Sequence, residues 1–263
     1  MDLKLNEKRA FISGSTQGIG FAIAQQLLKE GVSVTINGRQ AEKTNQAKER
    51  LQKEFPTSNI SALSADFSKK EEVEKLLNQL SNIDILVNNL GIFGIEKFEN
   101  ITDEDWYRYF EINVMSSVRL SRQLLPEMLN KKWGRIIFIS SESGVNVPEN
   151  MIHYGMTKSA MSAIANGLSK LTKGTEVTIN TVLGGPTYSD GVATVVEQIA
   201  QMQKLDVEQM KNAIIEQSNP HILLQRFINP NEIANLVTYL ASPLSIATNG
   251  ATLRADSGVL KTI

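Results

Sequence analysis

Apolar residues gather along this chain in short runs at fairly even intervals. The runs fall at residues 9–13, 33–37, 60–66, 84–89, 135–141, 177–183 and 251–255, and β-branched residues are common in them. Several are nearly uninterrupted, as in Ile136-Ile137-Phe138-Ile139. Unbroken apolar runs of this length suit strands buried on both faces. Between them, apolar positions recur at helical spacing, as over 19–30, 71–80 and 103–129. Strand then helix, repeated, predicts an α/β fold: a doubly wound parallel sheet of seven strands with helices on both faces. Right-handed crossovers leave few ways to connect such a sheet.

The alternation is interrupted once, over 187–226, where helical stretches at 192–202 and 207–217 replace the expected single helix. Insertions after a strand, at the carboxyl edge of a sheet, are where such folds place ligand-gating elements. A packing subdomain or an oligomer contact is the alternative. Met202, Leu205, Met210, Ile214 and Ile215 accordingly read either as pocket lining or as helix core. No internal repeat, low-complexity tract or Pro/Gly/Ser-rich linker divides the chain, so residues 1–263 are expected to form one domain carrying this insertion.

Composition narrows the function classes. The 263 residues are 41% hydrophobic, and a chain of this length buries roughly 73% of its unfolded surface. Lys and Arg number 27 against 28 Asp and Glu, a net charge of −1 with the signs interspersed, which argues against an electrostatic nucleic-acid binder. The absence of cysteine excludes a disulfide scaffold, Cys-based zinc sites and a thiol nucleophile. The first residues lack the apolar stretch of a signal peptide, and no run is long enough to span a bilayer. The expectation is a cytoplasmic protein with no membrane partner.

The first strand leads through Ser13-Gly14-Ser15-Thr16-Gln17-Gly18-Ile19-Gly20 directly into a helix. Glycines let backbone approach a pyrophosphate, and a helix N-terminus offers free N–H groups and partial positive charge. Phe21 stands where a P-loop would need lysine. A plain tight turn would also use glycines here. The second strand ends in Asn37-Gly38-Arg39, and the acid that usually meets a ribose 2′-hydroxyl is missing. Arg39 reads either as a guanidinium for a 2′-phosphate, favouring NADP(H) over NAD(H), or as a solvated side chain near Glu42.

Tyr154 and Lys158 are four residues apart in a helical segment and so share a face. A nearby ammonium is expected to favour phenolate and lower the Tyr154 pKa from its ordinary value of about 10. Thirteen residues earlier, Ser141 closes an apolar strand, its hydroxyl placed to donate to a carbonyl oxygen. It lacks the Gly-x-Ser-x-Gly context of a nucleophile. Neither His153 nor His221 has triad or metal-ligand spacing; His153 reads as a loop residue, and no metal is expected.

The glycine turn, Asp66, Asn88-Asn89-Leu90-Gly91, Asn113, Ser141 and the Tyr154/Lys158 pair, in this order and spacing, resemble the short-chain dehydrogenase/reductases, essentially end to end. The resemblance implies a Rossmann-like fold and an NADP(H)-dependent oxidoreductase, with NAD(H) the less favoured cofactor. It assigns Gly14, Ser15, Thr16, Gln17, Gly18, Ile19 and Gly20 to the pyrophosphate and ribose, with Asn37 and Arg39 at the second strand end. Asp66 and Phe67 would hold the adenine, Asn88, Asn89 and Gly91 the adenosine side, and Gly185 and Thr187 the nicotinamide. Ser141 would polarise a carbonyl, Tyr154 protonate it, Lys158 hold the ribose and tune Tyr154, and Asn113 keep a relay water, or else simply brace backbone at a kink.

The implied reaction is carbonyl reduction, with 3-oxoacyl thioesters among the candidate substrates. Alcohol oxidation or a non-catalytic NADP(H) sensor are the other readings. The implied partners are a small carbonyl or alcohol and further copies of the chain, as a homodimer or homotetramer through 103–129 or 160–171. Three positions depart from the family pattern. Gln17 replaces a frequent basic residue, Leu90 replaces a small one, and Gly184-Gly185-Pro186-Thr187 shifts the usual proline, which predicts a looser chain at 184.

Overall fold

A computed structural model describes residues 1–262; Ile263, the last residue of the expected domain, lies outside the described residues. Seven parallel strands, β1 (Arg9–Ile12), β2 (Ser33–Gly38), β3 (Ile60–Ser64), β4 (Ile85–Asn88), β5 (Trp133–Ser141), β6 (Glu176–Gly184) and β7 (Thr252–Ala255), form one sheet in the order β3-β2-β1-β4-β5-β6-β7. Each lies close to its predicted run. The main differences are that β5 and β6 begin earlier, and that Asp66, Asn89 and Ser13 fall just past their strands, in loops.

The helices are α1 (Gly18–Lys29), α2 (Ala41–Glu54), α3 (Lys70–Gln79), α4 (Asp103–Tyr109), α5 (Ser116–Lys131), α6 (Ile152–Ser169), α7 (Asp190–Gln203), α8 (Val207–Ser218) and α9 (Pro230–Ala241). The period-2 geometry of each strand sends neighbouring side chains to opposite faces. Ala10, Ile12, Ile85, Val87, Ile137 and Ile139 pack with α1, α2 and α9. Phe11, Leu86, Ile136 and Phe138 pack with α3, α5 and α6 on the other face. Burial of each such side chain contributes roughly 1.5–3 kcal/mol, which is why the near-continuous apolar runs make strands.

The 103–129 helix is not continuous. A π-helical segment, Phe110–Met115, joins α4 to α5, and Asn113 within it is fully buried. The wider turn interrupts the regular backbone ladder and leaves room for an inward polar side chain, a feature that residue spacing alone does not signal.

Strand order reverses between β1 and β4, so their diverging connections open a crevice at the carboxyl edge. The turn after β1 is braced from both sides of that crevice. Asn37 accepts from the Gly14 N–H (3.3 Å) and donates to the Leu63 carbonyl (2.9 Å), while Asn89 donates to the carbonyls of Ser13 (3.1 Å) and Gly14 (2.7 Å). The insertion is pinned at its base, where Tyr188 N–H meets Ile228 O (2.9 Å) and Ile228 N–H meets Pro186 O (2.8 Å). The looseness expected at 184 is absent: β6 continues through Gly184, and Gly185 N–H donates to Ala255 O (3.1 Å). Within the insertion, Met210 and Ile215 join the core, Ile214 packs against it, and Met202 and Leu205 are exposed.

Among the described residues no helix is long and apolar enough to cross a membrane. Asn37 is almost fully buried, and leaving its partners unsatisfied costs about 1–3 kcal/mol. Asn37→Ala should lower unfolding stability by that amount, read as a shifted urea midpoint with unchanged slope.

Candidate active site

Three elements bring the predicted chemistry together. β5 ends at Ser141, a short 3-10 turn (Glu142–Gly144) follows, and α6 lies against it. α6 starts two residues before Tyr154 and is fastened along its length. Ser140 Oγ donates to Lys158 O (2.8 Å), Ser159 Oγ to Gly144 O (2.5 Å), and Asn113 Nδ2 to Thr157 Oγ1 (3.0 Å). Gly155 permits the close approach: a Cβ there would lie 2.6 Å from Val147 Cγ1 and 2.7 Å from Ser143 O.

Ser141, Tyr154 and Lys158 converge at the carboxyl edge. The Lys158 ammonium is buried, donates to Ile139 O (2.9 Å), and stands 5.6 Å from the Tyr154 ring centre. Their electrostatics reverse one expectation. Burial pushes the Tyr154 phenol above its ordinary range, and the Glu142 carboxylate adds to the rise; the Ser141 hydroxyl opposes it. Burial also brings Lys158 down to about 8, against the opposing pull of Glu142. Desolvation, reinforced by Glu142, therefore sets the direction, and the lowering expected from Lys158 does not prevail.

Glu142 is the residue that spacing did not reveal. Its Oε2 accepts from Ser141 Oγ at 2.5 Å and its Oε1 from Ser143 Oγ at 3.1 Å. Burial raises its pKa, with those hydrogen bonds acting in the other direction. The only signal in sequence is an acidic residue immediately after the serine.

The glycine turn lies across the strand reversal. A Cβ on Gly20 would meet Gly14 O and Asn89 Nδ2 at 2.5 Å each, so backbone is packed tightly under the helix start. Asp190, the first residue of α7, places Oδ2 2.6 Å from the Gly18 N–H. The α1 N-terminus thus already holds an anionic oxygen, as its orphan N–H groups and dipole favour. The turn fits a pyrophosphate on that chemistry. Ser15 sits beneath it, its hydroxyl donating to Ile12 O (2.7 Å); Gln17 is exposed at the helix cap. Thr16 and Ile19 are partly buried.

The remaining predicted residues divide between surface and support. Arg39 is exposed, and its field reaches Asp66. Burial would raise the Asp66 pKa, but bonds from Ser68 and the charges of Arg39 and Lys69 carry it below the ordinary value. Phe67 is a core side chain. Asn88 is buried and donates to Ser121 Oγ (3.2 Å). Gly91 stands beside the dyad, where a Cβ would lie 3.4 Å from Lys158 Nζ. Thr187 donates to Gly185 O (2.8 Å) at the insertion's base.

Asn113 spends both amide protons on Ile92 O (2.9 Å) and Thr157 Oγ1, while Oδ1 accepts from Ile92 N–H (2.7 Å). Its side chain braces the loop after β4 against α6 and has no proton left for a relay water. His153 is in α6 rather than a loop, buried edge-on against Tyr109 (4.1 Å between ring centres). Beyond Val145 and Asn146 a cavity of about 420 Å³ opens, lined also by Asn219, His221, Ile222 and Lys261. Among the described residues no group of three or more His, Cys, Asp or Glu is placed to hold a metal.

Comparison with known proteins agrees with this geometry. A family model described as short chain dehydrogenase matches residues 8–200. The chain is 42% identical over 263 residues to an uncharacterized oxidoreductase, YvaG, of Bacillus subtilis, covering all of both chains. It is 30% identical to the 3-oxoacyl-[acyl-carrier-protein] reductase FabG of Aquifex aeolicus, over 98% of this chain and 100% of that one. The structure of L-sorbose reductase from Gluconobacter frateurii, complexed with NADPH and L-sorbose, superposes with a TM-score of 0.93 at 28% identity, covering 100% of each chain.

Lys158 titrates near 8 in the fold against 10.5 unfolded. Below pH 8 both states carry the proton and the burial cost is full; stability recovers as pH rises from 8 towards 10.5, because the unfolded chain then binds more protons. Lys158→Met should therefore stabilise the fold by on the order of 3 kcal/mol at pH 7, with the gain vanishing near pH 10.5, measured by urea unfolding of both proteins at each pH.

Proposed function

This chain belongs to the short-chain dehydrogenase family, and we propose that it reduces a ketone carbonyl to an alcohol using NADPH. The reading is carried by one juxtaposition: Ser141, Tyr154 and Lys158 meet at the carboxyl edge, beside the reversal where the glycine turn binds a carboxylate oxygen. When bound, the nicotinamide supplies the hydride. All other chemistry falls to the chain's own side chains.

Tyr154 is the general acid. Burial keeps its phenol protonated, the state needed to give a proton to an oxygen gaining negative charge. The cost of the resulting phenolate is met by Lys158, whose ammonium is anchored by the Ile139 carbonyl and lies 5.6 Å from the ring centre. Lys158 would also hold the nicotinamide ribose. Ser141 supplies a second donor to the carbonyl oxygen; a preorganised donor of this kind is worth ~10²–10³ in rate.

The turn residues 14–20, with Asp66 and Phe67 at the adenine end and Thr187 at the nicotinamide end, would hold the dinucleotide, its pyrophosphate taking the Gly18 N–H that Asp190 now occupies. Arg39, exposed at the end of β2, receives the 2′-phosphate by charge-assisted hydrogen bonds. The NADPH in the sorbose reductase structure supports this choice. Exposed Phe93, Ile95, Phe98 and Tyr107 around α4 support assembly as a homodimer or homotetramer.

A panel of ketones and 3-oxoacyl thioesters, followed by loss of nicotinamide absorbance, tests the activity. Tyr154→Phe should reduce turnover at least ~10²-fold while NADPH affinity stays within a few fold. Arg39→Ala should raise the KM for NADPH about tenfold or more and leave that for NADH nearly unchanged, as expected for loss of a charge-assisted contact made only to the 2′-phosphate. Equal effects on both cofactors would point to NAD(H).

A further inference from the structure

The hydrogen bonds around Ser141 do not balance for a residue that donates to substrate. A serine hydroxyl has one proton and two acceptor lone pairs. The proton is directed to Glu142 Oε2 at 2.5 Å, one lone pair accepts the Ser143 N–H at 3.1 Å, and the Tyr154 phenol is a further neighbour of the hydroxyl. While Glu142 is a carboxylate, which can only accept, Ser141 has no proton left for a carbonyl oxygen. A protonated Glu142 can instead donate to Ser141 Oγ and release the hydroxyl proton towards the cleft.

We propose that Glu142 is a positioning residue for the reduction, switching the Ser141 hydroxyl between its own carboxylate and the substrate oxygen. The inference rests on the carbonyl-reductase reading given above. Its geometric basis is the 3-10 turn, which seats Glu142 between the hydroxyls of Ser141 and Ser143 with no cation bonded to either oxygen. Desolvation favours the neutral acid there and holds its pKa above the ordinary 4.5.

The titratable groups facing Glu142 are Tyr154 and Lys158 from α6, with Tyr109 of α4 behind Tyr154. The end of β6 packed on this turn, Val182-Leu183-Gly184, brings none. His221 and Lys261 line the cavity beyond Val145 and Asn146. Ionised Glu142 also raises the Tyr154 pKa, so two routes from Glu142 to catalysis exist and the experiment must separate them.

The sign follows from the hydrogen-bond direction. As pH rises through the Glu142 titration, the hydroxyl is captured by the carboxylate and reduction slows. In wild-type enzyme, kcat/KM for the carbonyl, at saturating NADPH, should fall by roughly 10²-fold to 10³-fold across that limb, the span of losing one oxyanion donor. Glu142→Gln, which stays neutral and can donate from its amide, should lose that limb. In a Ser141→Ala background the same substitution should leave the pH profile unaltered, since Glu142 acts through Ser141.

Superimposable profiles for wild type and Glu142→Gln would overturn the proposal. So would an effect of Glu142→Gln that persists in full without Ser141, which would assign Glu142 to the electrostatics of Tyr154. A readout on the unsubstituted protein guards against a variant that fails to fold. With ¹³C-labelled glutamate, one side-chain carboxyl resonance should titrate above the ordinary 4.5; the absence of any such resonance overturns the proposal. Wild-type protein that reduces no carbonyl while retaining that resonance would indict the functional reading instead.

Discussion

The bond from the Lys158 ammonium to the Ile139 carbonyl joins the two elements on which the site depends. It reaches from α6 across to β5, and Ser141 and Tyr154 sit on opposite sides of that link. A buried ammonium is a poor choice for stability, because burial brings its pKa down to about 8. Only one carbonyl, the weak contact to Met161 Sδ (3.8 Å) and the field of Glu142 offset the loss of water. Such a charge is kept where its work lies in the reaction rather than in the fold.

The rest of the molecule makes this placement possible. A sheet buried on both faces has nowhere for polar chemistry except its edges, and strand reversal opens the carboxyl edge between β1 and β4. Asn37 and Asn89, approaching from the two neighbouring strand ends, pin the glycine turn by its backbone. The fold thereby sets two half-sites, a turn that holds the Asp190 carboxylate and the Tyr154/Lys158 pair, on either side of one crevice.

Much of this was legible in the residues. Continuous apolar runs mark doubly buried strands, so sheet and face assignment followed from pattern alone. The Ser141, Tyr154 and Lys158 spacing located the dyad because helix geometry places residues four apart on one face. Other features depend on tertiary surroundings. The π segment at 110–115 arises from the fit of Asn113 between Ile92 and Thr157, which have no sequence proximity. The direction of the Tyr154 shift is set by desolvation, which overrides the neighbour that spacing identifies. Asp190 reaches Gly18 across 172 residues of chain, and no local motif announces that contact.

The packing of Gly155 against Val147 and Ser143 has a consequence for how the site can diversify. The turn after β5 and the start of α6 approach so closely that neither can shift without the other, and their serine and tyrosine travel as one casting. The cavity wall contributed by Asn219, His221 and Ile222 at the far end of the insertion and by Lys261 near the terminus is free of that constraint. Those positions lie outside the sheet and beyond the pinned base at Ile228 or β7. The architecture separates a tightly interlocked turn and helix from wall positions that can change side chain without altering how Ser141 and Tyr154 are packed.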